Sequence, residues 1–126
     1  MTDDTRTPLL IVEDEMFIRM VAVDALEERG FSITEAGDAQ EALAILERTP
    51  GIALLFTDIN MPGDIDGMDL AIEVAKRWPH IGIIVTSGGV RLTSAQIPDS
   101  GIFLPKPYAT QHLVDLVQEQ LSKHLP

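Results

Sequence analysis

Residues 54–62 read Leu54-Leu55-Phe56-Thr57-Asp58-Ile59-Asn60-Met61-Pro62, and the fold turns on how this stretch is taken. An apolar run from Ile52 to Phe56 leads to a carboxylate, Asp58, and the chain then breaks at Pro62 and Gly63. A short apolar run between breakers predicts a strand buried on both faces, the kind found inside parallel sheets. Asp58 then falls at the strand's carboxyl end, where open α/β sheets keep their ligand sites. Taken alone, such an Asp is more often a turn or capping residue. Two other strand ends change that reading.

Upstream, Leu9-Leu10-Ile11-Val12 stops at Glu13-Asp14-Glu15, a second apolar strand ending in acid. Residues 1–7 before it are polar and expected to fray. From Glu15 to Arg29 the apolar residues Ile18, Val21, Ala22, Ala25 and Leu26 mark one face of a helix that Gly30 ends. Phe31-Ser32-Ile33-Thr34-Glu35 alternates with period two, so it predicts a strand wet on one face and near a sheet edge. Asp38 with Glu41 resembles a capping box. It opens a helix with Ala39, Ala42, Leu43 and Leu46 inward, closed by Pro50-Gly51.

Downstream of Asp58, residues Gly63 to Gly67 read as a loop. A helix follows with Ala71, Val74, Ala75 and Trp78 inward, stopped by Pro79. Ile81 to Val85 is a third wholly apolar strand and closes in Thr86-Ser87-Gly88-Gly89. Val90 to Ser100 has weak periodicity, and Pro98 limits any helix there to little more than a turn. Ile102-Phe103-Leu104 predicts a fifth strand running into Pro105-Lys106-Pro107. The last helix, Thr110 to His124, is expected to bury Leu113, Leu116, Val117 and Leu121. Five strands alternating with about five helices predict a parallel sheet with helices on both faces and right-handed crossovers. The apolar strands belong in the middle and the alternating one at an edge, which fits the flavodoxin-like order 2-1-3-4-5 with a short fourth helix. The switch point of that order lies between the strands that end in Glu13-Asp14 and in Asp58.

At 126 residues with no linker or repeat, residues 1–126 make one domain. Nine basic against twenty acidic residues give a net charge of -11, which argues against binding nucleic acid or an anionic membrane. The chain has no Cys, so disulfides, thiol catalysis and thiolate metal sites are excluded, and a reducing, cytoplasmic compartment suits it. No run approaches ~18 apolar residues, and no signal peptide opens the chain.

The predicted topology gathers Glu13, Asp14 and Asp58 in one crevice. Like charges at ~4 Å cost about 4 kcal/mol per pair at an effective dielectric near 20. Either one acid takes a proton or a hard cation binds. Two further strand ends bring a hydroxyl, Ser87, and an ammonium, Lys106. A carboxylate nucleophile, a metal platform, a hydroxyl and a Lys are what phosphoryl transfer to an aspartate needs. Each group also has a plainer reading on its own: Glu13-Asp14 as helix-capping acids, Ser87 as loop, Lys106 as solvated surface, Phe103 as core. His80, His112 and His124 lack metal-ligand spacing and read as surface.

Over nearly its full length the chain resembles the receiver domain of two-component response regulators. The matching motifs are Val12-Glu13-Asp14-Glu15, Asp58-Ile59-Asn60-Met61-Pro62 with Asp66-Gly67, Ile84-Val85-Thr86-Ser87-Gly88 and Leu104-Pro105-Lys106-Pro107-Tyr108. The resemblance implies that Asp58 accepts a phosphoryl group from a kinase phosphohistidine. It implies that Glu13, Asp14, Asp58 and the main-chain carbonyl of Asn60 hold Mg²⁺, which Mn²⁺ can replace. Ser87 corresponds to the hydroxyl that moves to the phosphoryl group, Lys106 to the lysine that pairs with it, and Phe103 to the aromatic that turns inward. A cis Lys106-Pro107 bond is implied as well. Thr86 competes with Ser87 for the hydroxyl role. Ser87 is preferred because Gly82 to Gly88 then lines up with the family's strand.

The chain departs from the family in an acidic pair that is Glu-Asp, in one extra residue between Pro62 and Gly67, and in a short span from Ser87 to Lys106. Gly89 and Asn60 near the mouth suggest an intermediate phosphate lifetime. A stunted fourth helix predicts a monomer or weak dimer. Because the chain ends at Pro126, the reading is a stand-alone response regulator: a signalling protein with self-catalysed phosphorylation and dephosphorylation rather than an enzyme. Its partners would be a histidine kinase or histidine phosphotransfer protein and a downstream protein, to which it presents a switched surface or relays the phosphate. The alternatives are a Mg²⁺-dependent aspartyl-nucleophile phosphatase and a degenerate receiver used as a binding module.

Overall fold

A computed structural model describes residues 6–89 and 92–123. Strands β1 (Pro8–Val12), β2 (Ser32–Ala36), β3 (Leu54–Asp58), β4 (Gly82–Ser87) and β5 (Ile102–Pro105) alternate with helices α1 (Met16–Glu28), α2 (Ala39–Arg48), α3 (Gly67–Arg77) and α4 (Thr110–Lys123). All five strands pair in parallel in the order β2-β1-β3-β4-β5, as expected from the strand patterns. Two 3-10 turns, Ser94–Gln96 and Pro98–Ser100, stand where the short fourth helix was expected, no longer than the turn or so that Pro98 allows, so the α-helices number four rather than about five among the described residues. Pro98 at the start of the second turn and a connection of few residues leave no room for more.

Period-two alternation divides the core between the two faces of the sheet. On one face Leu9, Ile11, Leu54, Phe56, Ile84 and Leu104 pack under α1 and α4. On the other, Leu10, Val12, Leu55, Ile83 and Val85 pack under α2 and α3. Leu54, Leu55 and Ile84 are fully buried, and each such side chain contributes roughly 1.5–3 kcal/mol through burial. Every residue of β3 is buried, Asp58 included. The strand begins two residues later than the apolar run suggested, so that it carries Asp58 as its last residue.

Several helix faces lie rotated from their expected stripes. On α1, Ala22, Val23 and Leu26 are buried, whereas Ile18 and Ala25 are only half-buried and Val21 is exposed. On α2, Ile45 joins Ala39, Ala42 and Leu46, and Leu43 is half-buried. On α3, Leu70 replaces Ala75 and Trp78, which are half-buried. On α4, Val114 and Gln120 are buried where Leu116 and Leu121 were expected. Each helix has one neighbouring helix and one sheet, and their directions set its azimuth more closely than apolar spacing does. Phe31 lies just before β2 yet is buried. Of the polar leader, residues 1–5 lie outside the described residues, and the Thr7 carbonyl accepts a bond from the Ser32 N–H at 3.0 Å. His124, Val90 and Arg91 also lie outside the described residues.

Candidate phosphoacceptor site

Sheet register builds the mouth. Val12 pairs with Thr57, so the next residue on each strand, Glu13 and Asp58, emerge side by side. Ser87 pairs with Pro105, and the Lys106 N–H donates to the Ser87 carbonyl at 3.0 Å, which brings the lysine over the same opening. Carboxylate oxygens of Glu13, Asp14 and Asp58 lie within 4.8 Å of one another. Lys106 Nζ reaches Glu13 Oε1 at 2.8 Å and Asp58 Oδ2 at 3.1 Å. Its bond to Pro107 is cis. Glu13 and Asp58 are 4% and 5% exposed, whereas Asp14 stands in solvent.

Burial and pairing act against each other in this pocket. Burial pushes the Glu13 carboxyl above the usual carboxylate range, more than hydrogen bonds from Lys106 and the Glu15 N–H pull it down, and the Asp58 charge adds to the rise. Burial likewise opposes the Lys106 charge, but hydrogen bonds to Glu13 and then Asp58 outweigh it and hold the ammonium above its ordinary value. Tyr108 packs edge-on against Phe56 with ring centroids 5.8 Å apart. Burial, then the Glu13 charge, push its phenol up to about 12. Three carboxylates against one ammonium leave a net negative pocket, two of whose acids are buried. That donor set fits a hard divalent cation with oxygen ligands.

Ser87 Oγ accepts from Asn60 Nδ2 at 3.1 Å and from the Gly89 N–H at 3.3 Å, so it faces the mouth. Thr86 Oγ1, its rival, is buried and has no hydrogen-bond partner among the described residues. The Asn60 N–H in turn donates to Asp58 Oδ1 at 3.3 Å. Phe103 is half-buried on β5 and packs against the cluster beneath α2 and α3.

Some contributors escaped the sequence reading. Asp66 and Asp69 form a full capping box at the start of α3, although residues 63–67 read as plain loop. The Asp-x-x-Asp spacing was the available signal. A Cβ at Gly67 would overlap the Asp58 carbonyl, and the Gly67 N–H donates to the Ile59 carbonyl at 2.8 Å. The glycine therefore lets the loop close tightly over the strand end despite its extra residue. At α2, Asp38 Oδ1 accepts from the Glu41 N–H as expected, but Glu41 reaches back to the Gly37 N–H rather than to that of Asp38.

A doubly wound sheet whose switch point carries an acid cluster bridged by a lysine defines an α/β domain with a charged ligand site at the carboxyl ends of its strands. The response regulator receiver domain model matches residues 9–118, and the chain belongs to that family, whose general function is phosphoryl transfer. It is 38% identical over 119 residues to the sensor kinase CckA of Brucella abortus, covering 91% of this chain and 12% of the relative. It is 33% identical to the transcriptional regulatory protein PdtaR of Mycobacterium tuberculosis, covering 91% of this chain and 57% of that one. The chain thus spans less than two thirds of these relatives. A response regulator receiver protein from Sinorhizobium medicae superposes with a TM-score of 0.88 at 25% identity, covering 98% of this chain and all of the other. A CheY-like receiver from Methanospirillum hungatei gives 0.85 at 27% identity, covering 95% and 97%. Receiver domains bind Mg²⁺ through an acidic pocket and interact with histidine kinases and other signalling partners. Among the described residues, no helix is long and apolar enough to cross a membrane.

Proposed function

We propose that Asp58 is the phosphoacceptor of a signalling receiver and that Glu13, Asp14, Asp58 and the Asn60 carbonyl hold Mg²⁺. The observation that supports this most strongly is the Lys106 ammonium bridging Glu13 and Asp58 with Asp14 beside them. Mg²⁺, when bound, screens the anionic nucleophile from the incoming phosphate and takes up charge on its equatorial oxygens. An Asp58 carboxylate oxygen attacks phosphorus, the bond to the donor's imidazole nitrogen breaks, and the ring leaves as neutral imidazole once that nitrogen is protonated. Lys106 neutralises the product. Ser87 exchanges its Asn60 contact for a phosphoryl oxygen, and Phe103 shifts inward on the edge strand as the hydroxyl moves.

The donor side is read from α1. Met16, Phe17 and Met20 are 72%, 69% and 50% exposed. Phe17 itself, with Ile18 and Val21, lines an apolar groove of about 230 Å³ together with Lys106, Pro107 and Tyr108. An apolar rim against the active lysine suits a protein donor, a histidine kinase or phosphotransfer protein, more than a small solute. Self-catalysed dephosphorylation with an intermediate phosphate lifetime, a cytoplasmic setting, a monomer or weak dimer, and output through a downstream protein complete the proposal. Membership of the receiver family argues against the aspartyl phosphatase reading, and the intact set of charged groups argues against a degenerate binding module.

The test is labelling with a small acyl phosphate and Mg²⁺, followed on phosphate-affinity gels. Wild type is expected to shift, and Asp58→Asn or omission of the metal to abolish the shift. Labelling that persists in Asp58→Asn overturns the assignment.

A further inference from the structure

We infer that Arg19 is a positioning residue for the metal pocket, aiming Asp14 through the main chain of Glu13. The inference rests on the metal role proposed above. Arg19 lies in the first turns of α1 with its side chain 19% exposed. Its Nη1 donates to the Glu13 carbonyl at 2.9 Å, and its Nε pairs with Glu35 Oε1 at 3.1 Å near the end of β2. A Cβ at Gly37 would come within 3.2 Å of Nη1, so the absence of a side chain there leaves the guanidinium its place. On the other side of the same residue, the Glu13 N–H donates to the Ala36 carbonyl at 3.1 Å. Both peptide groups of Glu13 are thereby tied to β2, one directly and one through the Arg19–Glu35 pair.

Asp14 depends on this more than its neighbours do. Glu13 already commits Oε1 to Lys106 and Oε2 to the Glu15 N–H. Asp58 commits Oδ2 to Lys106 and Oδ1 to the Asn60 N–H. Asp14 is exposed and its side chain has no hydrogen bond or ion pair among the described residues. Both its oxygens are at a cation's disposal, and only the backbone orients them. The peptide that sets that orientation is the one whose carbonyl Arg19 holds. Outer partners of this kind typically govern metal affinity by about ten- to hundredfold.

Charge and positioning pull in opposite directions, which makes the idea decidable. A guanidinium near a cation site repels the cation, so losing it would tighten binding if charge were its only effect. If it positions Asp14, losing it weakens binding.

Calorimetric titration of the full chain with MgCl₂ is expected to show Arg19→Ala binding about ten- to hundredfold more weakly than wild type, with Arg19→Lys in between because one ammonium cannot make both contacts. In acyl phosphate labelling, the Mg²⁺ concentration for half-maximal rate should rise by the same factor while the rate at saturating Mg²⁺ stays put. Should Arg19→Ala fail to fold, Arg19→Lys alone decides. Unchanged or tighter Mg²⁺ binding in the folded variants overturns the inference. Absence of Mg²⁺ binding in wild type overturns instead the metal reading on which it rests.

Discussion

The turns that leave β3 and β4 both start at the mouth of the sheet, yet they are built in contrasting ways. After Asp58 the turn is fastened at both of its ends. The Ile59 N–H meets the Thr86 carbonyl, Gly67 presses on Asp58 itself, and the Asp66–Asp69 box locks the helix that follows. After Ser87 come two glycines and two short 3-10 turns, with Asp99 and Ser100 both in the left-handed region at φ 58°. Among the described residues, that second connection is tied to the rest of the molecule chiefly at its far end. Buried Gln120 donates to the carbonyls of Ile83 and Ser100 at 3.1 and 3.3 Å, Ile97 is buried, and Gly101 lies close against β4. The contrast suits the proposed division of work: a nucleophile must be held still, whereas a switching hydroxyl needs slack beside it.

Substitutions can break or sharpen the contrast. The largest effect is expected at Gly67→Ala, whose added methyl meets only the main chain of Asp58 and Ile59 and so has no side chain that can give way. Overpacking of this kind costs about 1–3 kcal/mol, and displacing a reacting group by about an ångström costs on the order of a hundredfold in rate. Urea melts and labelling rates together should show both losses. The matching change after β4, Gly89→Ala, meets nothing within 4 Å and should shift stability by less than about 0.5 kcal/mol. Equal costs at the two positions would erase the distinction.

Next comes Gln120→Leu, which removes the donor from two carbonyls and should lower stability by about 1–3 kcal/mol. Hydrogen exchange should quicken around residues 97–101 and not around residues 59–67. Uniform quickening would mean that the two turns are not independent.

Smallest is a change in the titration of Tyr108, the chain's one tyrosine. Its phenol is held up to about 12 against an ordinary 10.0, so the folded state keeps the proton that the unfolded chain releases. Stability from this group is therefore full below pH 10 and declines as pH rises toward 12. Phenolate absorbance should titrate lower in Gly67→Ala, if the mouth loosens, and stay put in Gly89→Ala.

Asp58, Glu13, Asp14 and Lys106 were legible because each ends a run of strand-like residues, and a parallel sheet delivers consecutive strand ends to one edge. Ser87 was preferred over Thr86 by alignment of the strand, and the structure turns its hydroxyl toward the mouth through Asn60. Val21 and Val23 were not separable on α1, since apolar spacing gives a stripe but not its azimuth. Gln120 was invisible because a glutamine in an amphipathic helix reads as solvent-facing until its acceptors, 37 and 20 residues away, are in place.

Local chemistry, in the alternation of apolar runs with breakers and caps, was thus enough to set the strand order and to name the acids, because those signals act over a few residues. How tightly each turn closes, which way each helix is rolled, and which polar side chains brace the pocket came from contacts between segments distant along the chain. Arg19, Gly67 and Gln120 take their meaning there, since a hydrogen bond or a steric limit exists only once both partners have been brought together.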